Sequence, residues 1–362
     1  MGNNMNSIYG VDEDAFMSSI DSVFSIDDNN SIVITRDRTE FHLVISCIRF
    51  LDKLSTHASP LSLLHKSENK NVSMNQLLTS FGREFLKCAK KVTAVNISGG
   101  VFLYNPKVNL FANFINRYNM IDELAFLHRF PERESVLLGY IDELREHLNS
   151  KEMHSLIKNF QRGPAKNYNA LVNYTHSLFK NYARLLVIRI DLSFLDMYKK
   201  EVSLKDCALY RRKLLGDRRY RPFIKDAVGY AWSLEYAKST GYHYHMLFFY
   251  DGSKHREDYT IGMGIGKQWK DITGNKGRYY LCNTKKESYR FCGIGMVDYH
   301  DGIARQNLNK AIAYLTKPQH FAKVRGLQDA RVRAFGRGDV PHVSPLKGRP
   351  RRKVDGIGKL ES

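Results

Sequence analysis

The stretch that most constrains this chain is AVGYAWSLEYAKSTGYHYHMLFFYDG, residues 227–252. Two runs rich in aromatic and aliphatic residues flank Ser-Thr-Gly at 239–241. This spacing predicts an antiparallel hairpin with strands over 227–237 and 242–250. Side chains two apart in a strand share a face. His243 and His245 therefore project together, and Tyr244 projects the other way. Two adjacent imidazoles can bind a divalent cation through neutral nitrogens. Two structural histidines on a sheet face would satisfy the same pattern. Glu235 lies six residues before Gly241 and returns across the hairpin towards the pair. Two histidines and one carboxylate form a mixed N/O donor set suited to Mg²⁺ or Mn²⁺ against a phosphate.

The flanking pattern gives the hairpin its setting. ARLLVIRIDLSF, 183–194, reads as a strand, and a basic helical stretch follows to about 221. HREDYTIGMGIGKQWKDIT reads as a helix interrupted by glycines. Its GMGIGK does not fit the phosphate-loop pattern GxxxxGK[ST]. GRYYLCN and FCGIGMVDY read as weaker strands, and 302–317 as a helix. The order β-α-β-β-α-β-β-α predicts an α+β fold, an antiparallel sheet with packed helices, over 170–340. Within its last helix, Lys310, Tyr314 and Lys317 share one face. A tyrosine packed on the core with solvated lysines fits that spacing equally well.

The first half reads differently. TEFHLVISCIRFLDKL, VSMNQLLTSFGREFLKCAKKV and ESVLLGYIDELREHLN carry apolar residues at helical spacing. They predict a mainly helical domain over 36–165, with no chemical motif in it. NFQRGPAKNYN, 159–169, carries Gly-Pro and is expected to be a linker. Residues 1–35 hold six acidic residues and no Lys or Arg, and are expected to form a poorly ordered leader.

The formal net charge is +19, concentrated in YRRKLLGDRRYRPFIK (210–225) and in the C-terminal 45 residues, where eleven Lys/Arg face four Asp/Glu. Such fields attract nucleic acid. The expected contacts are Arg211, Arg212, Lys213, Arg218, Arg219, Arg221 and Lys310. Arg349, Arg351 and Arg352 join them in a tail, 341–362, whose LKGRPRRK resembles an AT-hook for A·T-rich duplex. A generic basic tail has the same composition. No apolar stretch reaches the ~18 residues that span a bilayer, so a cytoplasmic protein without a membrane partner is expected. Five scattered cysteines, with no CxxC pair, suit a reducing compartment.

HYH at 243–245, YLTK at 314–317 and the strand LLVIRIDLSF together resemble the HUH endonucleases (His, hydrophobic residue, His), which nick single-stranded DNA to start rolling-circle replication. RIDLSF, YAWSLEYAKSTGYHYHMLFFYDG, GKQWKDIT, AIAYLTK and RAFGRG are similar to the filamentous-phage (inovirus) replication proteins, also found in prophages. The resemblance covers slightly under half of the chain. It implies His243, His245 and Glu235 as ligands of Mg²⁺ or Mn²⁺, and Tyr314 as a nucleophile that forms a 5′-phosphotyrosine link, assisted by Lys317. It also implies a partner in single-stranded DNA at a replication origin and a setting among host replication proteins. Lys310 stands where two-tyrosine members carry a second tyrosine, so the resemblance is to a single-tyrosine type. A non-catalytic prophage DNA-binding regulator and an HUH transposase or relaxase are the alternative readings.

Overall fold

The computed structural model describes residues 24–26, 32–34, 38–56, 62–65, 77–95, 100–216, 218–237, 240–289, 291–316, 319, 321–327 and 329–341. Lys317 and the tail with Arg349, Arg351 and Arg352 lie outside the described residues, as does most of the expected leader. Of the residues expected in that leader, β1 (Phe24–Ile26) and β2 (Ile32–Ile34) are described, and they pair as an antiparallel ribbon.

The chain divides into two compact units. The first holds residues 37–163 and 319–325. Among its described helices are α1 (Arg38–Thr56), α2 (Ser80–Thr93), α3 (Pro106–Arg117), α4 (Met120–Phe126) and α5 (Glu134–Leu148). α2 begins at Ser80 with Thr79 as its cap, the Thr79 hydroxyl accepting from the Gly82 amide at 3.1 Å. Phe50, Phe85 and Phe111 from three helices meet in the core, with ring centroids 5.5–6.2 Å apart. A short ribbon, β3 (Phe102–Tyr104) with β9 (Ala322–Val324), completes the unit.

The expected linker is part of a helix. α6 runs unbroken from Lys151 to Asn181 and contains Pro164. Proline has no amide hydrogen, so the carbonyl four residues earlier, that of Phe160, loses its helical donor. Lys323 supplies one. Its Nζ donates to the Phe160 oxygen at 2.5 Å and lies 4.1 Å from the Phe160 ring centroid.

The second unit is the α+β body that the element order predicted. Its elements are β4 (Arg184–Phe194), α7 (Leu204–Leu215), β5 (Ala227–Ala237), β6 (Gly241–Asp251), α8 (Asp258–Ile272), β7 (Gly277–Leu281), β8 (Gly295–Asp298), α9 (Gly302–Thr316) and β10 (Phe335–Arg337). The strands form one antiparallel sheet in the order β10-β5-β6-β4-β7, and β8 pairs with the start of β4. One face is apolar. Ile190, Leu192 and Phe194, Trp232 and Leu234, and Tyr244, Met246 and Phe248 pack there against Cys207 and Leu214 of α7 and Ile265 and Trp269 of α8. Each large side chain buried there contributes about 1.5–3 kcal/mol. The glycines of GMGIGK belong to this packing. A Cβ at Gly266 would stand 2.3 Å from the Tyr279 ring, so the motif brings a helix close to a strand.

The C-terminal half of α6 covers part of the other face. Tyr174 stacks edge-on with Phe249, ring centroids 6.3 Å apart, and Gly229 leaves room for its hydroxyl. α9 also lies on this side, because Tyr314 packs against Arg189 of β4.

Candidate metal centre

The hairpin register decides the geometry. Glu235 pairs with His243 and Ser233 with His245 across β5 and β6, while Asp191 of β4 pairs with His245 from the other side. Directly paired residues share a face. Glu235, His243, His245 and Asp191 therefore stand together on the face opposite the apolar core. One donor atom from each of Glu235, His243 and His245 lies within 4.8 Å of the others.

Each imidazole is held by its Nδ1. His243 Nδ1 lies 3.1 Å from the Gly241 carbonyl oxygen and 3.3 Å from Thr240 Oγ1. His245 Nδ1 lies 2.7 Å from Asp191 Oδ1. An Nδ1–H given to an oxygen leaves the lone pair on Nε2, the tautomer a metal ligand needs. His245 Nε2 faces Glu235 Oε2 at 3.4 Å, and the other Glu235 oxygen accepts from Ser233 Oγ at 3.3 Å. The donors fit a divalent cation that keeps several positions for water or phosphate.

The electrostatics agree with this. Burial would lower the basicity of His245, but the Asp191 and Glu235 carboxylates outweigh it and push its pKa up to about 10. Burial and the neighbouring His245 hold His243 below the usual histidine range. Burial would raise Asp191, yet His245 and Arg189 hold it at about 2. The same opposition, with His245 prevailing over burial, lowers Glu235. The cluster is an anionic pair of carboxylates closed around a proton on His245, a position that a divalent cation can take over.

Tyr314 reaches this group through Arg189. The Arg189 guanidinium carbon stands 4.7 Å from the Tyr314 ring centroid, and its Nε stands 3.8 Å from Asp191 Oδ1. Lys310 turns towards Phe291, its Nζ 3.3 Å from that ring centroid.

The basic run at 210–225 is not brought to the histidines. Helix α7 lies on the apolar side of the sheet, and Arg211 stacks on Trp232 there at 3.8 Å. Arg212 and Lys213, on the same helix, are exposed, as is Arg219. Arg221 donates to the Lys213 carbonyl oxygen at 3.4 Å. Arg218 belongs to a short 3₁₀ turn, Arg218–Tyr220.

Sequence reasoning missed Asp191 and Arg189. Their signal is present in VIRIDLSF, where two charges alternate with apolar residues. That is the same period-two pattern that marked the histidines.

Fold and cluster define an α+β protein with a candidate divalent-metal centre on the face of an antiparallel sheet. Residues 147–338 match the family model described as the YagK/YfjJ C-terminal domain. The match spans more than half of the chain, and the chain belongs to that family. Nothing among curated proteins or solved structures matches it. No helix among the described residues is long and apolar enough to cross a membrane.

Proposed function

We propose that the protein is a metal-dependent, single-tyrosine DNA-nicking enzyme. It cuts single-stranded DNA at a replication origin and so starts rolling-circle replication of a phage or prophage element. The observation that carries this reading is the shared sheet face. Glu235, His243 and His245 converge there, and Arg189 links them to Tyr314. The resemblance of HYH and YLTK to the HUH endonucleases and the inovirus replication proteins adds to it, as does the association of the family with prophages.

Glu235, His243 and His245 would hold Mg²⁺ or Mn²⁺. The bound cation would draw charge from the scissile phosphate and stabilise the transition state. Asp191 keeps His245 in the ligating tautomer. The Tyr314 oxygen attacks phosphorus, a bond forms between them, and the bond from phosphorus to the 3′ oxygen breaks. The phenolic proton is lost to a base or water, and the leaving 3′ oxygen takes up a proton. The 5′ phosphate stays on Tyr314, and the free 3′-hydroxyl can prime synthesis. That polarity follows from the resemblance. Lys317 would add positive charge beside the phosphate.

The test is cleavage of end-labelled single-stranded DNA taken from the flanks of the gene, with Mg²⁺ or Mn²⁺. Cleavage by the native chain, lost in the double variant His243→Ala, His245→Ala with DNA binding retained, supports the reading. Binding by the native chain without cleavage under either metal replaces it with a non-catalytic DNA-binding role.

A further inference from the structure

Arg189 is a cation in an unusual place. It belongs to a central strand and is only 6% exposed. β7 pairs with β4 from Ile190 onwards and β8 pairs with it up to Val187, so residues 188 and 189 fall in the gap between these edge strands. The buried Asn283 fills that gap. Its Oδ1 accepts from the Arg189 amide at 2.9 Å, and its Nδ2 donates to the Val187 carbonyl at 3.0 Å. The backbone that aims the guanidinium is therefore fixed.

The head of Arg189 is less well satisfied. Its Nε has no hydrogen-bond partner among the described residues. The nearest carboxylate oxygen, Asp191 Oδ1, stands 3.8 Å away, beyond hydrogen-bond length, and is engaged with His245 Nδ1 at 2.7 Å. The Tyr314 ring covers the guanidinium at 4.7 Å. A buried N–H left unpaired on a cation is costly. A phosphate oxygen is the anion whose geometry a guanidinium fork fits best.

We propose that Arg189 is a substrate-phosphate ligand, donating from its guanidinium to a non-bridging oxygen of the phosphodiester that Tyr314 attacks. Held between Tyr314 and the Asp191–His245 pair, it fixes the phosphate beside the nucleophile and offsets the charge that grows on it. This rests on the nicking reading for its substrate and extends it to a residue outside the His-x-His and Tyr-x-x-Lys motifs.

The probe is dimethyl phosphate, a minimal phosphodiester, added to the full chain with Mg²⁺. Its binding is read by saturation transfer to its methyl protons. Arg189→Gln should weaken it about tenfold or more, and Arg189→Lys should fall between. A measurement that needs no folded variant accompanies this: the Nε–H resonance of Arg189 in the native chain should shift as dimethyl phosphate saturates. A resonance that stays in place, native affinity in a folded Arg189→Gln, or no binding by the native chain each overturns the proposal. Binding through Arg189 without DNA cleavage overturns only the nicking reading and leaves a phosphodiester-binding site.

Discussion

Asp191 Oδ1 and His245 Nδ1 meet at 2.7 Å across the β4–β6 ladder, and the contact sets which nitrogen of His245 is left for a metal. Asp191→Asn can present an amide N–H to Nδ1, which moves the imidazole proton to Nε2. Mn²⁺ affinity, followed by the loss of the free-ion paramagnetic resonance signal, should fall about 10–100-fold. Unchanged affinity would mean that Asp191 does not set the tautomer.

The same contact gives a pH dependence. The His245 pKa is raised from 6.5 to about 10 in the metal-free fold. A raised histidine contributes stability that is fully present below its unfolded pKa and lost as pH rises through the folded one. The metal-free chain should thus lose this contribution between pH 6.5 and 10. Metal must displace that proton, so Mn²⁺ affinity should rise with pH across the range. Calorimetry at pH 7.5 in buffers of different ionisation enthalpy should show about one proton released per metal bound. No release would contradict the protonated state of His245.

In the helical unit, Lys323→Met should leave the Phe160 carbonyl without its donor beside Pro164. The expected loss is about 1–3 kcal/mol in urea unfolding. A neutral result would show that the lysine does not compensate the proline.

The position of α7 makes a further prediction. Arg212 and Lys213 sit on the helix that covers the apolar face, away from the histidines. Reversing both charges to Glu should leave cleavage of a short oligonucleotide close to native. A severe loss would place the DNA path on that side.

Much of the second unit was legible because its strands obey period-two patterning. The shared face of His243, His245 and Glu235 and the β5–β6 hairpin followed from local alternation and one short turn, whereas the order of strands across the sheet did not. The linker expectation failed for a reason no local pattern could show. Gly-Pro breaks helices unless the orphaned carbonyl finds a donor, and Lys323 lies 163 residues from Phe160 in the chain. The placement of the basic run was not legible either. Charge marks a surface, but Arg211 spends its guanidinium on Trp232, beneath the far side of the sheet. The roles of Asp191 and Arg189 depend on the register of β4 against β6, which local alternation does not fix.

The central claim is that Tyr314 is the nucleophile of a metal-dependent nicking site. The native chain should be incubated with single-stranded DNA from the gene's flanks and Mn²⁺, denatured, digested with protease and examined by mass spectrometry. The expected product is a nucleotide joined through its 5′ phosphate to the peptide containing Tyr314, absent with Tyr314→Phe and absent without metal. Cleaved DNA with no peptide attached, or an adduct mapped to another residue such as Tyr299, would contradict it.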